Sequence, residues 1–402
     1  MKLIYKSVAS HQAGVTLIEL LVALALGLAV LVGLSAVYVA AKQSFRFQET
    51  AGRLQEDANF SLESIARDMR MAGFSGCRGV DVATVSGVTT YYPTLALSSS
   101  PLAYDGPNPL AAVEPTNAMV VLQPLSPQNF LRGFDNVPSA MFAAAAVPVS
   151  SSTDSIFFSS GSPNAVSVSA QMANTSSNLT IAADPYKWGS ATANNGVYYM
   201  IVSDCISSSL FAGKTSVGGA QIEHGTGVVN TPGNAADTFP GSAIYGVDAL
   251  VMPIEWNFYY VATRAGANTP SLYRVFYDGN NRQPAQEIVS NVESMKLHYG
   301  ENIYGKDASN LQCNLPVANC TPTYTADVWR TTAATVTDWS NVVAVRVGLM
   351  MVSADNSANP DVVTVTPTLL GQSYTPPVGS STTRLRKEFS TTVVLRNRVV
   401  AR

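Results

Sequence analysis

Charge is what this chain has least of. Asp, Glu, Lys and Arg make up 13% of its 402 residues, about half the usual quarter. The 24 basic and 27 acidic residues leave a net charge of −3. No basic surplus exists to hold a phosphate backbone, which argues against nucleic acid as a partner. Histidine is scarce as well: only His11, His224 and His298 occur. There is no Gly-x-Ser-x-Gly, His-Glu-x-x-His or P-loop spacing. A Ser-His-Asp triad is arithmetically open through His224 or His298, yet nothing local supports one. Cys-x-x-Cys is missing, which argues against zinc. No repeat of 20–50 residues is visible. These absences together point away from an enzyme.

What is present is one long uncharged run. Gly14 is followed by Val15, Thr16, Leu17, Ile18 and Glu19, and from Leu20 to Ala41 no residue carries charge. At ~1.5 Å per residue, that run spans about 33 Å as a helix, enough to cross a hydrocarbon core. Glu19 stands at its head. An acid in such a place is costly and is read as functional by default. A secretory signal peptide would explain Lys2 and Lys6, but its apolar core ends after roughly 7–15 residues. An ordinary signal anchor fits the length and leaves Glu19 unexplained. Lys2 and Lys6 ahead of the run put the segment before it in the cytoplasm and residues after 42 outside the inner membrane.

The helix is expected to continue. Leu54, Ala58, Leu62, Ile65 and Met69 recur at spacings of three and four, with Arg53, Gln55, Glu56, Asp57, Glu63 and Arg67 mostly off that stripe. The reading predicts helix from Val15 to Ala72, ended by Gly73 and Gly76. Gly27, Gly33 and Gly52 are candidate points of bending or close packing.

Strand signals follow. Ala118–Leu122, Ser155–Phe158, Ala165–Ser169, Leu179–Ala182 and Val197–Ser203 are expected strands. Residues 212–243 are Gly-rich and read as loop. Trp256–Thr263 and Leu272–Tyr277 read as an antiparallel pair. Gln286–Val292, Ser294–Tyr299, Val342–Val352 and Phe389–Leu395 complete the set. The fold class is α+β, a long helix with an antiparallel sheet. Aromatics crowd 256–277; exposed, they could stack on sugars, although alternation makes half of them core. Calcium is the better candidate for a small ligand. Ser353–Asp361 and Asp278–Asn281 cluster oxygen donors, but neither follows EF-hand order, and such clusters are usually turns.

Four cysteines, Cys77, Cys205, Cys313 and Cys320, lie beyond the export segment. An even count there implies disulfides, with three connectivities open. The short gap favours Cys313–Cys320 as a local loop, leaving Cys77 with Cys205.

The stretch from Gly14 through Thr-Leu-Ile-Glu into an uncharged helix resembles the type III signal of type IV prepilins and pseudopilins. The resemblance implies cleavage by a prepilin peptidase after Gly14 and N-methylation of Val15. It also implies that Glu19 steers subunits into a filament. Further phrases resemble PilW-type minor pilins, relatives of the J-type minor pseudopilins of type II secretion. They are Ala66–Phe74 with Gly76-Cys77, Ser203-Asp204-Cys205, Pro270–Arg274, the Val289–Gly300 strand and Leu395-Arg396-Asn397. The chain departs from the family at Val15, where phenylalanine is usual, and at His11, where a basic residue is usual.

The expected organisation is a leader (1–14), a transmembrane and filament-core helix (15–41), its amphipathic continuation (42–76) and a β-rich extracytoplasmic head (77–402). The expected role is that of a minor pilin in a tip or initiation complex of the type IV pilus, without cofactor. Its expected partners are other minor pilins, the major pilin, the peptidase and the inner membrane. The alternatives are a J-type pseudopilin and an anchored adhesin that does not polymerise.

Overall fold

The computed structural model describes residues 14–76, 82–85, 88–91, 130–135, 153–190, 196–204, 206–216, 218–226, 234, 237–239, 243–263, 267–280, 283, 285–306, 312–314, 321–322, 325–354, 367–377 and 384–399. The expected strand at Ala118–Leu122 lies outside them. The chain divides after Arg53 into two units.

The first unit is helical. In it begins α1 (Leu17–Arg70). Every described residue from Gly14 to Glu49 is exposed. The helix runs through Gly27, Gly33 and Gly52, and a Cβ at any of them meets no atom within 4 Å.

The second unit opens on the rest of α1. Leu54, Ala58, Ser61, Leu62, Ile65, Ala66 and Met69 are buried, while Gln55, Glu56, Glu63 and Arg67 face out. The expected stripe is therefore the packed face. The helix stops where glycine allows it: Gly73 has φ 76°. The Gly73 N–H leaves the helix and donates to the Ser159 carbonyl at 2.8 Å.

The strands run β1 (Val82–Val85), β2 (Val88–Tyr91), β3 (Leu131–Phe134), β4 (Ser155–Gly161), β5 (Val166–Ala170), β6 (Leu179–Ile181), β7 (Val197–Ser203), β8 (Ser208–Thr215), β9 (Gln221–Glu223), β10 (Leu250–Ala262) and β11 (Ser271–Tyr277). There follow β12 (Gln286–Ser290), β13 (Val292–Glu301), β14 (Tyr304–Lys306), β15 (Gln312–Asn314), β16 (Thr321–Pro322), β17 (Val328–Arg330), β18 (Val342–Val352), β19 (Thr368–Leu369), β20 (Gln372–Ser373) and β21 (Arg386–Val394). All described pairings are antiparallel. The expected pairing of the strands at 256–263 and 272–277 is that of β10 with β11, Trp256 facing Tyr277.

β10 is the strand that joins two layers. Its first residues, Leu250 to Pro253, pair with β7, and Leu250 and Val251 also pair with β5. From Ile254 it pairs with β4 instead, and from Trp256 with β11. The early part closes a ring, β10-β5-β6-β9-β8-β7 and back to β10, a small barrel. Val168, Leu179, Met200, Val202, Phe211, Ile222, Phe239 and Val251 form one buried cluster there. The later part of β10 belongs to an open sheet with β3, β4, β11 and β12.

A second sheet has the order β17-β13-β18-β21. The stripe of α1 packs against both sheets: Ile156, Phe158, Tyr259 and Val261 from one, Met295, Leu297, Val345, Val347 and Leu349 from the other. The other face of the open sheet buries Phe157, Trp256, Phe258, Tyr260 and Tyr273. The aromatics of 256–277 are thus mostly core on both faces, and no sugar-stacking row is exposed among them.

The loop expected at 212–243 is corrected in part. Residues 212–215 belong to β8, and 221–223 form β9. Gly213 lies in β8 because a Cβ there would stand 2.7 Å from the Phe211 ring and 2.9 Å from Ile222. Its glycine reflects close packing, which a count of glycines cannot distinguish from a turn.

Candidate functional site

Two places gather the residues the sequence singled out. One is the start of α1. Gly14, Val15 and Thr16 precede the helix and are exposed. Thr16 is the N-cap, and Glu19 is the third helical residue. The Thr16 N–H and the Thr16 hydroxyl each donate to Glu19 Oε2 at 2.9 Å, and the Glu19 N–H donates to Thr16 Oγ1 at 3.4 Å. The first helical bond, Leu20 N–H to the Thr16 carbonyl, is 3.2 Å. This is a capping box, in which two backbone donors with no helical partner are satisfied reciprocally. The signal for it, Thr-x-x-Glu ahead of an apolar run, was present in the sequence and was read there only as part of a processing motif. Beyond it the apolar side chains are all exposed: Leu17 at 77%, Leu28 at 61%, Leu34 at 62%. A helix of this length and composition is fit to cross a membrane.

The other place is the end of α1. The Tyr259 hydroxyl donates to Asp68 Oδ2 at 2.7 Å, and Arg274 Nη2 lies 3.3 Å from the same oxygen. Burial pushes the Tyr259 hydroxyl up, and the Asp68 carboxylate beside it adds to the shift. Arg274 Nε donates to Asn257 Oδ1 at 2.6 Å. Asn397 Nδ2 caps the helix, within 3.2–3.3 Å of the carbonyls of Arg70, Met71 and Ala72. Gly76 backs onto Ser203: a Cβ at Gly76 would stand 2.6 Å from Ser203 Cβ. The Ser208 hydroxyl reaches the Ser75 carbonyl at 3.5 Å, and the Gly161 N–H donates to the Phe74 carbonyl at 2.6 Å. Four of the family-like phrases, the outermost more than 300 residues apart, therefore meet at one helix end. Nothing local in the sequence signals that convergence.

Among the described residues no catalytic grouping accompanies them. His224 is fully buried, and its Nε2 lies 3.0 Å from the Ser177 carbonyl, which fixes the proton on Nε2. Burial lowers its pKa, and its ring lies 4.3 Å from that of Phe239. His298 is on β13, opposite Arg346 of β18; burial, then the charges of Arg346 and Lys296, lower its pKa. Among the described residues no cluster of His, Cys, Asp or Glu could hold a metal ion. Asp278 works as a turn former: Oδ1 accepts from the Asn280 N–H at 3.0 Å and Oδ2 from Gln283 at 2.9 Å. Most of Ser353–Asp361 lies outside the described residues. So do the side chains of Cys77, Cys205, Cys313 and Cys320. β15, which carries Cys313, and β16, which starts at Thr321, pair with opposite edges of β14.

A membrane-length N-terminal helix headed by a Thr-x-x-Glu cap, continuing as the packed spine of an antiparallel β-rich head, defines a pilin-type structural protein. Residues 9–35 match the family model described as Prokaryotic N-terminal methylation motif, and residues 258–397 match the one described as Type IV Pilus-assembly protein W. The last third of the chain is thus similar to the PilW family of type IV pilus assembly proteins, and its start carries a prepilin motif. The second match spans Tyr259, Arg274 and Asn397, and it leaves out β5 to β9 of the barrel. No curated protein and no solved structure matches the chain. Family and motif imply a prepilin peptidase and the pilus assembly machinery as partners, and inner-membrane anchoring before entry into a pilus.

Proposed function

We propose that the chain is a minor pilin acting in the tip or initiation complex of a type IV pilus. Residues 1–14 are a cytoplasmic leader, removed between Gly14 and Val15, after which Val15 is methylated. Residues 15–41 hold the subunit in the inner membrane and later pack in the filament core, 42–76 continue the helix, and 77–402 form the head. Glu19 then leaves its own cap to pair with the freed amine of a neighbour, where low dielectric makes a charge pair strong and a lone charge costly. The observation that carries this reading is the start of α1: an exposed Gly14–Val15 bond one residue ahead of a capped, wholly exposed apolar helix.

In the head, Cys77 pairs with Cys205. Support comes from the nearby Gly76 and Ser203, which lie so close that a Cβ on Gly76 would stand 2.6 Å from Ser203 Cβ. Cys313–Cys320 is the complementary and weaker assignment, since β15 and β16 flank β14 rather than each other.

Glu19→Ala tests the assembly role. The substituted protein is expected in the membrane at normal level and missing from sheared pili. Normal incorporation would leave only an anchored, non-polymerising role. Recovery of the parent protein with a secretion pseudopilus instead of pili would assign it the J-type role.

A further inference from the structure

The barrel ring has one weak link. β9 holds each neighbour by two residue pairs: Leu179–Ile222 and Thr180–Gln221 to β6, Lys214–Glu223 and Thr215–Ile222 to β8. His224 is the next residue, and it is fully buried. Its ring lies edge-on to Phe211 of β8 at 6.1 Å and against Phe239 at 4.3 Å. Nε2 donates to the Ser177 carbonyl at 3.0 Å, on the turn between β5 and β6. Nδ1 is buried as well and has no hydrogen-bond partner among the described residues. Two further ties converge here. The Phe239 N–H donates to the Thr175 carbonyl of the same turn at 3.0 Å. Asn234 stands beside β8 like one more strand residue: Oδ1 accepts from the Ala212 N–H at 2.8 Å, and Nδ2 lies 2.7 Å from the carbonyls of both Ala212 and His224. His224 is therefore where β9, β8 and the β5–β6 turn are fastened together.

A neutral imidazole suits this place. Nε2 carries the proton, and the aromatic surroundings ask nothing of Nδ1. A second proton turns Nδ1 into a charged donor without an acceptor, and a buried charge left unpaired is costly. Cation–π attraction to Phe239 offsets part of that. Few charges stand near enough to offset the rest. Asp237 is exposed, and its Oδ1 already accepts from the Thr226 N–H and hydroxyl. Glu223 of β9 lies opposite Lys214 of β8. The turn at 172–177 and β6 bring no titratable side chain, and residues 243–246 bring only Tyr245. Burial accordingly lowers the His224 pKa, against the pull of the Ser177 carbonyl and of Asp237.

We propose that His224 is a pH-sensitive latch of the barrel: on taking a proton at Nδ1 it leaves its seat, and the ring opens at β9 while the sheets packed on α1 stay closed. The sign follows from where the proton binds. A released histidine titrates near 6.5, and the seated one only at lower pH. Opening therefore takes up a proton. The latch is fully held above about pH 6.5 and weakens as pH falls below it. The opening is local because the ring is weakest there. β9 has two pairs on each side, whereas β21 alone keeps nine with β18. His298 on β13 is lowered as well, by burial first, so the amides of that sheet report on it separately from the barrel. Asp154, raised to about 6 by burial, acts in the opposite sense and cannot mimic the latch.

The test uses the full chain in detergent micelles. Amide exchange is followed residue by residue at about pH 7.5 and about pH 5, with the intrinsic pH dependence of exchange divided out. Protection of the Ala212 and Phe239 amides is expected to fall about tenfold or more between the two, while that of the β18 amides changes little. His224→Gln keeps a donor for the Ser177 carbonyl and does not titrate, so its Ala212 and Phe239 amides are expected to be equally protected at both pH values. Equal protection at both in the parent protein overturns the latch. So does the same loss in His224→Gln, which would assign it to another group, and so does a loss that extends through β18, which would make the opening global. If His224→Gln does not fold, the ring signals of His224 in the parent protein decide. Their titration is expected to track the loss of protection, and titration without that loss overturns the proposal.

Discussion

Thr16 and Glu19 place two demands on one carboxylate. In the single chain it accepts from the Thr16 N–H and hydroxyl; in a filament the proposed partner is a neighbour's amine. Thr16→Val keeps the shape and deletes the hydroxyl, so the first turn of α1 should fray. Faster amide exchange at Leu17–Glu19 in micelles checks this, and unchanged exchange would mean the cap adds nothing. Asn397 has the same kind of role at the other end. Asn397→Ala strips a donor from three helix-end carbonyls and should lower stability by ~1 kcal/mol, read as a shifted denaturant midpoint. Asp154 gives a pH signature. Burial pushes its carboxyl up to about 6, against the pull of Lys296 Nζ at 2.6 Å. Unfolded, the group titrates near 3.9. Between those values the native chain holds more protons than the unfolded one, so this residue's contribution to stability falls as pH rises through that window. The span is on the order of 3 kcal/mol. Asp154→Asn should remove that slope from the difference between denaturant midpoints at pH 4 and pH 7; an equal slope in both proteins would contradict the assignment. Glu19 was legible in the sequence as an acid out of place. Its cap with Thr16 was legible too, in the Thr-x-x-Glu spacing. The role of Asn397 was not, because its partners lie more than 300 residues away.

Among elements, α1 was the most legible, since a stripe at three and four residues depends on nothing outside the helix. β18 was read end to end, Val342–Val352, because a long β-branched run leaves few alternatives. β8 was missed: no strand was expected at Ser208–Phe211, and 212–215 were read as loop. Leu210, Phe211 and Ala212 are buried, yet the glycines that follow imitate a loop. Gly213→Val tests the packing explanation. A side chain forced against Phe211 and Ile222 should cost ~1–3 kcal/mol by overpacking. A neutral effect on the unfolding midpoint would show that Gly213 is dispensable. β10 was read from Trp256 onward, but not its change of partners after Pro253, where it passes from barrel to open sheet. That change is a property of which strands flank it, and no local pattern encodes it.

At the scale of the molecule, the two family matches cover the start of α1 and the chain from 258 to 397. The barrel lies between them. Its strands β5, β6 and β7 were expected, at Ala165–Ser169, Leu179–Ala182 and Val197–Ser203, whereas β8 and the three-residue β9 were not. Ring closure depends on pairings far apart in the chain and could not be read in advance. The head is tied to α1 by Asp68, Tyr259, Arg274 and Asn397, and by the proposed Cys77–Cys205 bridge. Closing so long a loop is worth ~4–5 kcal/mol in the chain-entropy picture. Cys205→Ser should therefore lower the unfolding midpoint under oxidising conditions and match the parent once both are reduced.

Processing and placement are the heart of the account, and one measurement reaches both: mass spectrometry of the N-terminus of this protein recovered from sheared pili. The account predicts a mature chain that begins at methylated Val15. A chain that still begins at Met1, in cells whose prepilin peptidase is active, would contradict it.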